Sequence, residues 1–252
     1  MVLSSADVAL VTGASSGIGE ATVRALRERG VVVHALARRG DRLADLASQT
    51  GCTPHEVDVR DREAVRALGD LEVDILINNA GLGRAMGSLA AASLDDIEQT
   101  IDTNVTAAIY LIRVVVPGMI ERRRGHLVNM SSVLALYPAP AALYGATKGA
   151  MHKLSRDLRH ELTGTGVRVT EINPGRVATE FYDVAIDDAE VRDAVKASGI
   201  EDLTPADVAA SVVHVLDAPR HVNISQLEIV PTEQVYGGAA FNPVEPPSGP
   251  GA

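Results

Sequence analysis

In the stretch Ser131 to Lys148, SSVLALYPAPAALYGATK, Tyr144 and Lys148 stand four positions apart. On a helix that spacing puts a phenol and an ammonium on one face. A nearby cation favours phenolate, so the pair is expected to bring the tyrosine pKa down towards working pH. A group that gives a proton to a carbonyl and takes one back from an alcohol requires this. Tyrosine and lysine at this spacing also occur on ordinary solvated helix faces, so the chemistry depends on what other elements deliver beside them.

Two motifs supply what the pair lacks. Ala6 to Val11 is a short apolar run that leads into Thr12-Gly13-Ala14-Ser15-Ser16-Gly17-Ile18-Gly19, and a helical pattern follows as far as Gly30. Strand, glycine turn and helix in that order suit a pyrophosphate. Glycine lets the backbone turn sharply and come close, and the unpaired N–H groups of the helix start meet the charge. The spacing is G-x-x-x-G-x-G rather than the commoner G-x-G-x-x-G. A second strand, Val31 to Ala37, closes the βαβ unit and ends in Arg38-Arg39. An acid at that point would accept from a ribose 2′-hydroxyl and repel a 2′-phosphate. Arginine does the reverse, so NADP(H) is the expected cofactor, with Arg38 as the main contact and Arg39 supporting the field.

The remaining elements bring these groups to one sheet edge. Thr53 to Val57 reads as a third strand, after which Asp58 stands either beside an adenine or as a helix cap. Val73 to Ile77 runs into Asn78-Asn79-Ala80-Gly81, where small residues permit close backbone approach. Ser93 opens a long helix that carries Asn104 and Tyr110 and that Pro117 is expected to kink. His126 to Met130 delivers Ser131 and Ser132, and the Tyr144 helix follows with Ala150, Met151, Leu154, Leu158 and Leu162 as its apolar stripe. Val167 to Ile172 leads into Asn173-Pro174-Gly175-Arg176-Val177-Ala178-Thr179, and Ile224 to Val230 is the last strand. Such alternation predicts one Rossmann-like α/β domain over 1–241, a doubly wound, mainly parallel seven-stranded sheet with helices on both faces. Residues 180–203, acidic and loosely helical, are expected to form a lid, and the Pro/Gly-rich 242–252 a flexible tail.

Composition narrows the partners. The 252 residues are 46% hydrophobic, with no Trp, and 23 Lys plus Arg face 33 Asp plus Glu for a net charge of −10. That balance argues against general affinity for nucleic acid or anionic lipid. One cysteine, Cys52, excludes an intrachain disulfide, and the N-terminus lacks a basic stretch followed by an apolar run, so a cytoplasmic protein is expected. Charges punctuate the apolar runs, and no membrane-spanning segment is expected. The seven histidines show no metal-ligand cluster, and His152 with His160 reads as a solvated face.

In order and approximate spacing, the Thr12-to-Gly19 turn, Asn78-Asn79-Ala80-Gly81, Asn104, the serine pair, Tyr144-x-x-x-Lys148 and Pro174-Gly175 with Thr179 resemble the short-chain dehydrogenase/reductase family. The resemblance covers nearly the whole chain. It is nearest the bacterial 3-hydroxy acid dehydrogenase and carbonyl reductase branch, through IDTN (101–104), YGATK (144–148), HVNIS (221–225) and IVPTEQ (229–234). It implies an Asn-Ser-Tyr-Lys set. Tyr144 would be the general acid/base, and Lys148 would lower its pKa and hold the nicotinamide ribose. A serine would hydrogen-bond the substrate oxygen, and Asn104 would organise a water-linked proton path behind the lysine. It further implies that Thr179 meets the carboxamide, that Asn79, Ala80 and Gly81 with Pro174, Gly175 and Val177 line the cofactor, that Asp58 and Val59 flank the adenine, and that the assembly is a homotetramer.

The family spacing between serine and tyrosine would select Ser131, but strand register from Gly125 selects Ser132. Ser132 is preferred, because strand geometry decides which side chain faces the ligand while loops absorb deletions. Leu82, Met86, Leu134, Pro138, Leu143, Phe181 and Tyr182 are expected to make a largely apolar wall for a ketone, aldehyde or secondary alcohol, including a small 3-hydroxy acid. Arg176 stands either to meet a substrate carboxylate or as a solvated loop arginine. A 3-oxoacyl thioester or biosynthetic ketoreductase is the alternative enzyme, and an NADP-sensing interaction protein the non-enzymatic one.

Overall fold

The computed structural model describes residues 3–197, 199–235 and 241. The chain runs β1 (Val8–Thr12), α1 (Gly17–Glu28), β2 (Val32–Ala37), α2 (Gly40–Thr50), β3 (Thr53–Glu56), α3 (Arg62–Ala67) and β4 (Ile75–Asn78). It continues α4 (Leu94–Ile101), α5 (Ala107–Glu121), β5 (Gly125–Met130), α6 (Ala142–Glu161), β6 (Val167–Pro174), α7 (Phe181–Ala185), α8 (Ala189–Lys196), α9 (Pro205–Asp217) and β7 (Gln226–Ile229). The seven strands form one sheet in the order β3-β2-β1-β4-β5-β6-β7, and every pairing is parallel.

A parallel sheet must be covered on both faces, and the strand sequences reflect it. All six residues of β5 and all eight of β6 are buried. Alternation sorts them into two cores. Ala9 and Val11 of β1 pack with Val23 and Leu26 of α1 and with Val208, Val212 and Leu216 of α9. Leu10 and Leu76 point the other way, to Leu111 and Val115 of α5 and Leu158 of α6. Each such valine or leucine contributes about 1.5–3 kcal/mol by leaving water. Chain order reverses between β1 and β4, which opens a crevice at the strand carboxyl ends.

Three points bear on the expectations. Pro117, expected to kink the long helix, lies inside α5. The break in α-helical pattern is a π-helical turn at Asp102–Thr106, with Asn104 in it. An extra residue in a turn re-aims the side chains beside it, and such turns concentrate at functional sites. The continuous helical run Leu94–Glu121 is also long and apolar enough to cross a membrane by length and composition. The reason is that Arg113 is the single charge between Asn104 and Ile120. In the fold, its Leu111, Val115 and Met119 are buried in the core between helix and sheet. Third, Asp58 does not cap a helix. Asp61 does, accepting from the backbone N–H groups of Glu63 and Ala64. Residues 242–252, expected as a tail, lie outside the described residues.

Candidate active site

The first turns of α6 place Tyr144 and Lys148 under the crevice, and β5 delivers the serines beside them. Ser132 adopts extended backbone and caps the short turn Val133–Ala135, its Oγ accepting from Leu134 N at 3.2 Å. Its hydroxyl lies near enough to the Tyr144 phenol to favour the phenolate. Ser131 turns away and donates to the Lys148 carbonyl at 3.3 Å, within the helix backbone. Adjacent residues of an extended chain face opposite sides, so one of the pair meets the phenol.

Lys148 is 4% exposed, and its Nζ donates to the Met130 carbonyl at 2.9 Å. The ammonium lies 5.6 Å from the Tyr144 ring centroid. Burial lowers Lys148 to about 8 from an ordinary 10.5, with the buried carboxylate Glu171 opposing. Tyr144 is pushed up, not down: desolvation dominates, Tyr182 adds to it, and the nearby Ser132 hydroxyl opposes it. The expected lowering by the lysine is therefore absent. A desolvated phenol resists losing its proton more than a neighbouring ammonium, itself drawn to a carbonyl, can offset. In this state Tyr144 is a proton donor at neutral pH.

Asn104 is 3% exposed and fully engaged. Its Oδ1 accepts from Leu82 N at 2.7 Å, and its Nδ2 donates to the Leu82 carbonyl at 2.8 Å and to Thr147 Oγ1 at 3.0 Å. It thus ties the loop after β4 to α6, one residue from the lysine. A Cβ placed on Gly81 would sit 3.5 Å from Lys148 Nζ and 3.7 Å from Asn104 Oδ1, so these groups share one small space.

The glycine turn lies next to this cluster. Gly13 has a φ of +67°, and a Cβ on Gly19 would fall 2.2 Å from the Gly13 carbonyl oxygen, so neither position accepts a side chain. Thr12 Oγ1 accepts from the backbone of Asn79 and Ala80, each at 2.9 Å, and Asn79 Nδ2 donates to the Thr12 carbonyl at 2.9 Å. The Asn79 amide therefore serves the strands, leaving its backbone at the cleft. A cleft of about 1190 Å³ runs past Gly13, Ser15, Ser16, Gly17, Ile18, Arg38, Arg39, Asp58 and Val59 to Ala80, Gly81, Ser132, Tyr144 and Lys148. It also takes in Pro174, Gly175, Val177 and Thr179.

The two arginines differ from each other. Arg38 is exposed at the cleft mouth. Arg39 is built into the glycine turn, donating from Nε to Ser15 Oγ at 3.0 Å and from a terminal nitrogen to Ser16 Oγ at 2.5 Å. Asp58 pairs with Arg60 at 2.7 Å, and this hydrogen bond holds its carboxyl below the usual range.

On the substrate side, Leu82, Met86, Leu134, Phe181 and Tyr182 line the cleft. Pro138 and Leu143 do not. Pro138 is exposed and Leu143 is buried, while Ala139, Pro140 and Ala141 face the cleft in their place. The Phe181 ring stands 5.3 Å from that of Tyr144 and fills the space where a Gly83 Cβ would be. Arg176 is neither solvated nor free. At 7% exposure it pairs with Asp202 at 2.8 Å, donates to the Val195 carbonyl at 2.8 Å, and lies 5.3 Å over the Tyr182 ring. It anchors the segment from α8 to Asp202 to the sheet edge.

Sequence reasoning passed over Thr147, Arg42, Glu180 and Glu171. A visible signal existed for Glu171, a carboxylate inside the apolar run VRVTEIN, since a strand covered on both faces must pair any charge it buries. Its partner is His152, 2.7 Å away and half-buried, so His152 does not share the exposed face of His160. The other three are polar residues among many, placed by tertiary contacts alone.

A tyrosine–serine–lysine cluster beneath a glycine turn at the switch point of a parallel sheet defines a nucleotide-dependent oxidoreductase class. The chain belongs to the short chain dehydrogenase family, whose profile matches residues 7–190. It is 40% identical over 241 residues to the NADP-dependent 3-hydroxy acid dehydrogenase YdfG of Escherichia coli (strain K12), covering 92% of this chain and 97% of that protein. A solved closed form of serine dehydrogenase complexed with NADP+ superposes with a TM-score of 0.86 at 40% identity, covering 93% and 99% of the two chains. A 3-oxoacyl-[acyl-carrier protein] reductase from Brucella melitensis is more distant, at 29% identity and a TM-score of 0.78 over 90% and 92%.

Proposed function

We propose that this protein is an NADP(H)-dependent oxidoreductase that interconverts a carbonyl and a secondary alcohol, with a small 3-hydroxy acid as the leading substrate class. The observation that carries it is Tyr144, with the Lys148 ammonium 5.6 Å from its ring and Ser132 beside it, lining a cleft continuous with the glycine turn. The residues fit a dinucleotide: the turn has no room for side chains where a pyrophosphate would approach, and arginines stand at the end of β2. When bound, the nicotinamide exchanges a hydride with the substrate carbon.

In the reducing direction Tyr144 gives its proton to the carbonyl oxygen as that oxygen gains charge, and in the oxidising direction it takes the proton back. Ser132 Oγ holds the same oxygen in place. Lys148, protonated at neutral pH, stabilises the phenolate left behind and offers its remaining N–H groups to ribose hydroxyls. Asn104 fixes the loop that closes this space. Positioning in a water-poor site and fixed charge near the oxygen account for most of the acceleration.

The 3-hydroxy acid reading is supported by the 40% identity to the E. coli dehydrogenase that carries this name. A second reading, an uncharged ketone or an oxoacyl thioester, is favoured by the apolar wall of Leu82, Met86, Leu134 and Phe181 and by the commitment of Arg176 to Asp202. We further place the protein in the cytoplasm as a homotetramer. Ile101, Ile109 and Ile120, exposed along the α4–α5 run, supply apolar surface for such an assembly. Oxidation of NADPH across a panel of small oxo acids, ketones and oxoacyl thioesters tests the proposal together with Tyr144→Phe. The variant is expected to bind NADPH and lose turnover by at least about a hundredfold. Near-normal turnover would overturn the mechanism, and the panel ranking decides between substrate classes.

A further inference from the structure

Two guanidinium groups at the phosphate end of the cleft already hold an anion. Beyond its contacts to Ser15 and Ser16, Arg39 donates to Glu180 Oε2 at 3.0 Å. Arg42, in the first turn of α2, donates to both Glu180 oxygens at 2.8 Å. These hydrogen bonds hold the Glu180 carboxyl below the usual carboxylate range. Glu180 follows Thr179 directly and begins the segment that carries α7 and α8. Two arginines converging on one group beside a serine-lined glycine turn suit a phosphate, which offers more acceptor oxygens than a carboxylate.

We propose that Glu180 is a resident counter-anion which the 2′-phosphate of NADP(H) must displace from Arg39, so that this residue sets how tightly the phosphorylated dinucleotide binds. The inference rests on the NADP(H) reading above. A phosphomonoester carries a charge of about −1.5 to −2 and three acceptor oxygens, against one charge and two oxygens on glutamate, so it wins Arg39. Arg42 retains Glu180, which keeps the start of α7 beside the turn during the exchange. NAD(H) has no 2′-phosphate to exchange and leaves the Arg39–Glu180 pair intact. Arg38, exposed and unbonded among the described residues, is the arginine that receives the phosphate without displacement.

The test is direct titration of NADPH and NADH, read by nicotinamide fluorescence, on the wild type and Glu180→Gln. The NADPH dissociation constant is expected to fall roughly three- to tenfold while that for NADH stays within about twofold. The gain should shrink as salt screens these exposed charges. In an Arg39→Gln background the same Glu180→Gln change should improve NADPH binding by less than about twofold. Unchanged or weaker NADPH binding in Glu180→Gln, equal movement for both cofactors, or an undiminished gain without Arg39 would each overturn displacement. If the wild type binds NADPH no better than NADH, the cofactor reading itself fails, which is a separate result.

Discussion

Replacing Lys148 with methionine keeps an unbranched side chain of similar length in a buried slot and removes a charge that the fold tolerates for function. Lys148 falls from 10.5 to about 8 through burial, which corresponds to about 3 kcal/mol against the folded state at about 1.4 kcal/mol per pH unit. The sign follows from proton counts. Between pH 8 and 10.5 the unfolded chain holds more protons than the folded one, so wild-type stability rises with pH there; below 8 the whole penalty is present. Methionine cannot donate to the Met130 carbonyl, a loss of about 1 kcal/mol. Lys148→Met is therefore expected to be about 2 kcal/mol more stable at pH 7, or about 4–8 °C higher in melting temperature, and to have lost turnover. The measurement is chemical denaturation of both proteins at several pH values without cofactor. The advantage should narrow as pH passes from 8 to 10.5. A variant less stable than wild type at pH 7, or an advantage that does not change with pH, would refute a desolvated lysine.

Three further outcomes follow from contacts. Ser132→Ala should lower kcat by about a hundredfold or more, whereas Ser131→Ala, which removes a hydrogen bond to helix backbone, should lower stability by about 1 kcal/mol and leave kcat within about threefold; steady-state kinetics and melting separate the two. Gly83→Ala places a methyl group 2.2 Å from Phe181 Cζ, so the ring must move. Relative kcat/KM for bulky against small ketones should shift by about tenfold. Arg124→Met strips the partner from the buried Asp7 and from Asp74, and denaturant titration should show a loss of about 3 kcal/mol.

Much of this protein could be read from local pattern because its signals are local. Apolar runs of strand length ending in small or polar residues mark the strand exits. A parallel sheet buries nearly every strand residue, so its strands stand out from the helices between them. The glycine turn and the Tyr144–Lys148 pair each lie within a few residues of chain. Fold class and the carboxyl-edge location of the cleft follow from those.

Tertiary structure decided what depends on burial and on the meeting of distant segments. Tyr144 rises where a neighbouring cation alone would lower it, because desolvation is set by everything packed around the phenol. Arg39, rather than Arg38, enters the glycine turn, since the curl of the chain after β2 chooses which of two adjacent side chains points inward. Arg176 is committed to Asp202, a partner 26 positions away that no spacing rule connects to it. Asn104 is aimed at the Leu82 backbone by a π-helical turn that residue pattern does not announce. Tyr144 and Lys148 are thus placed together by four residues of helix, while the protonation state each one holds is fixed by the fold around them.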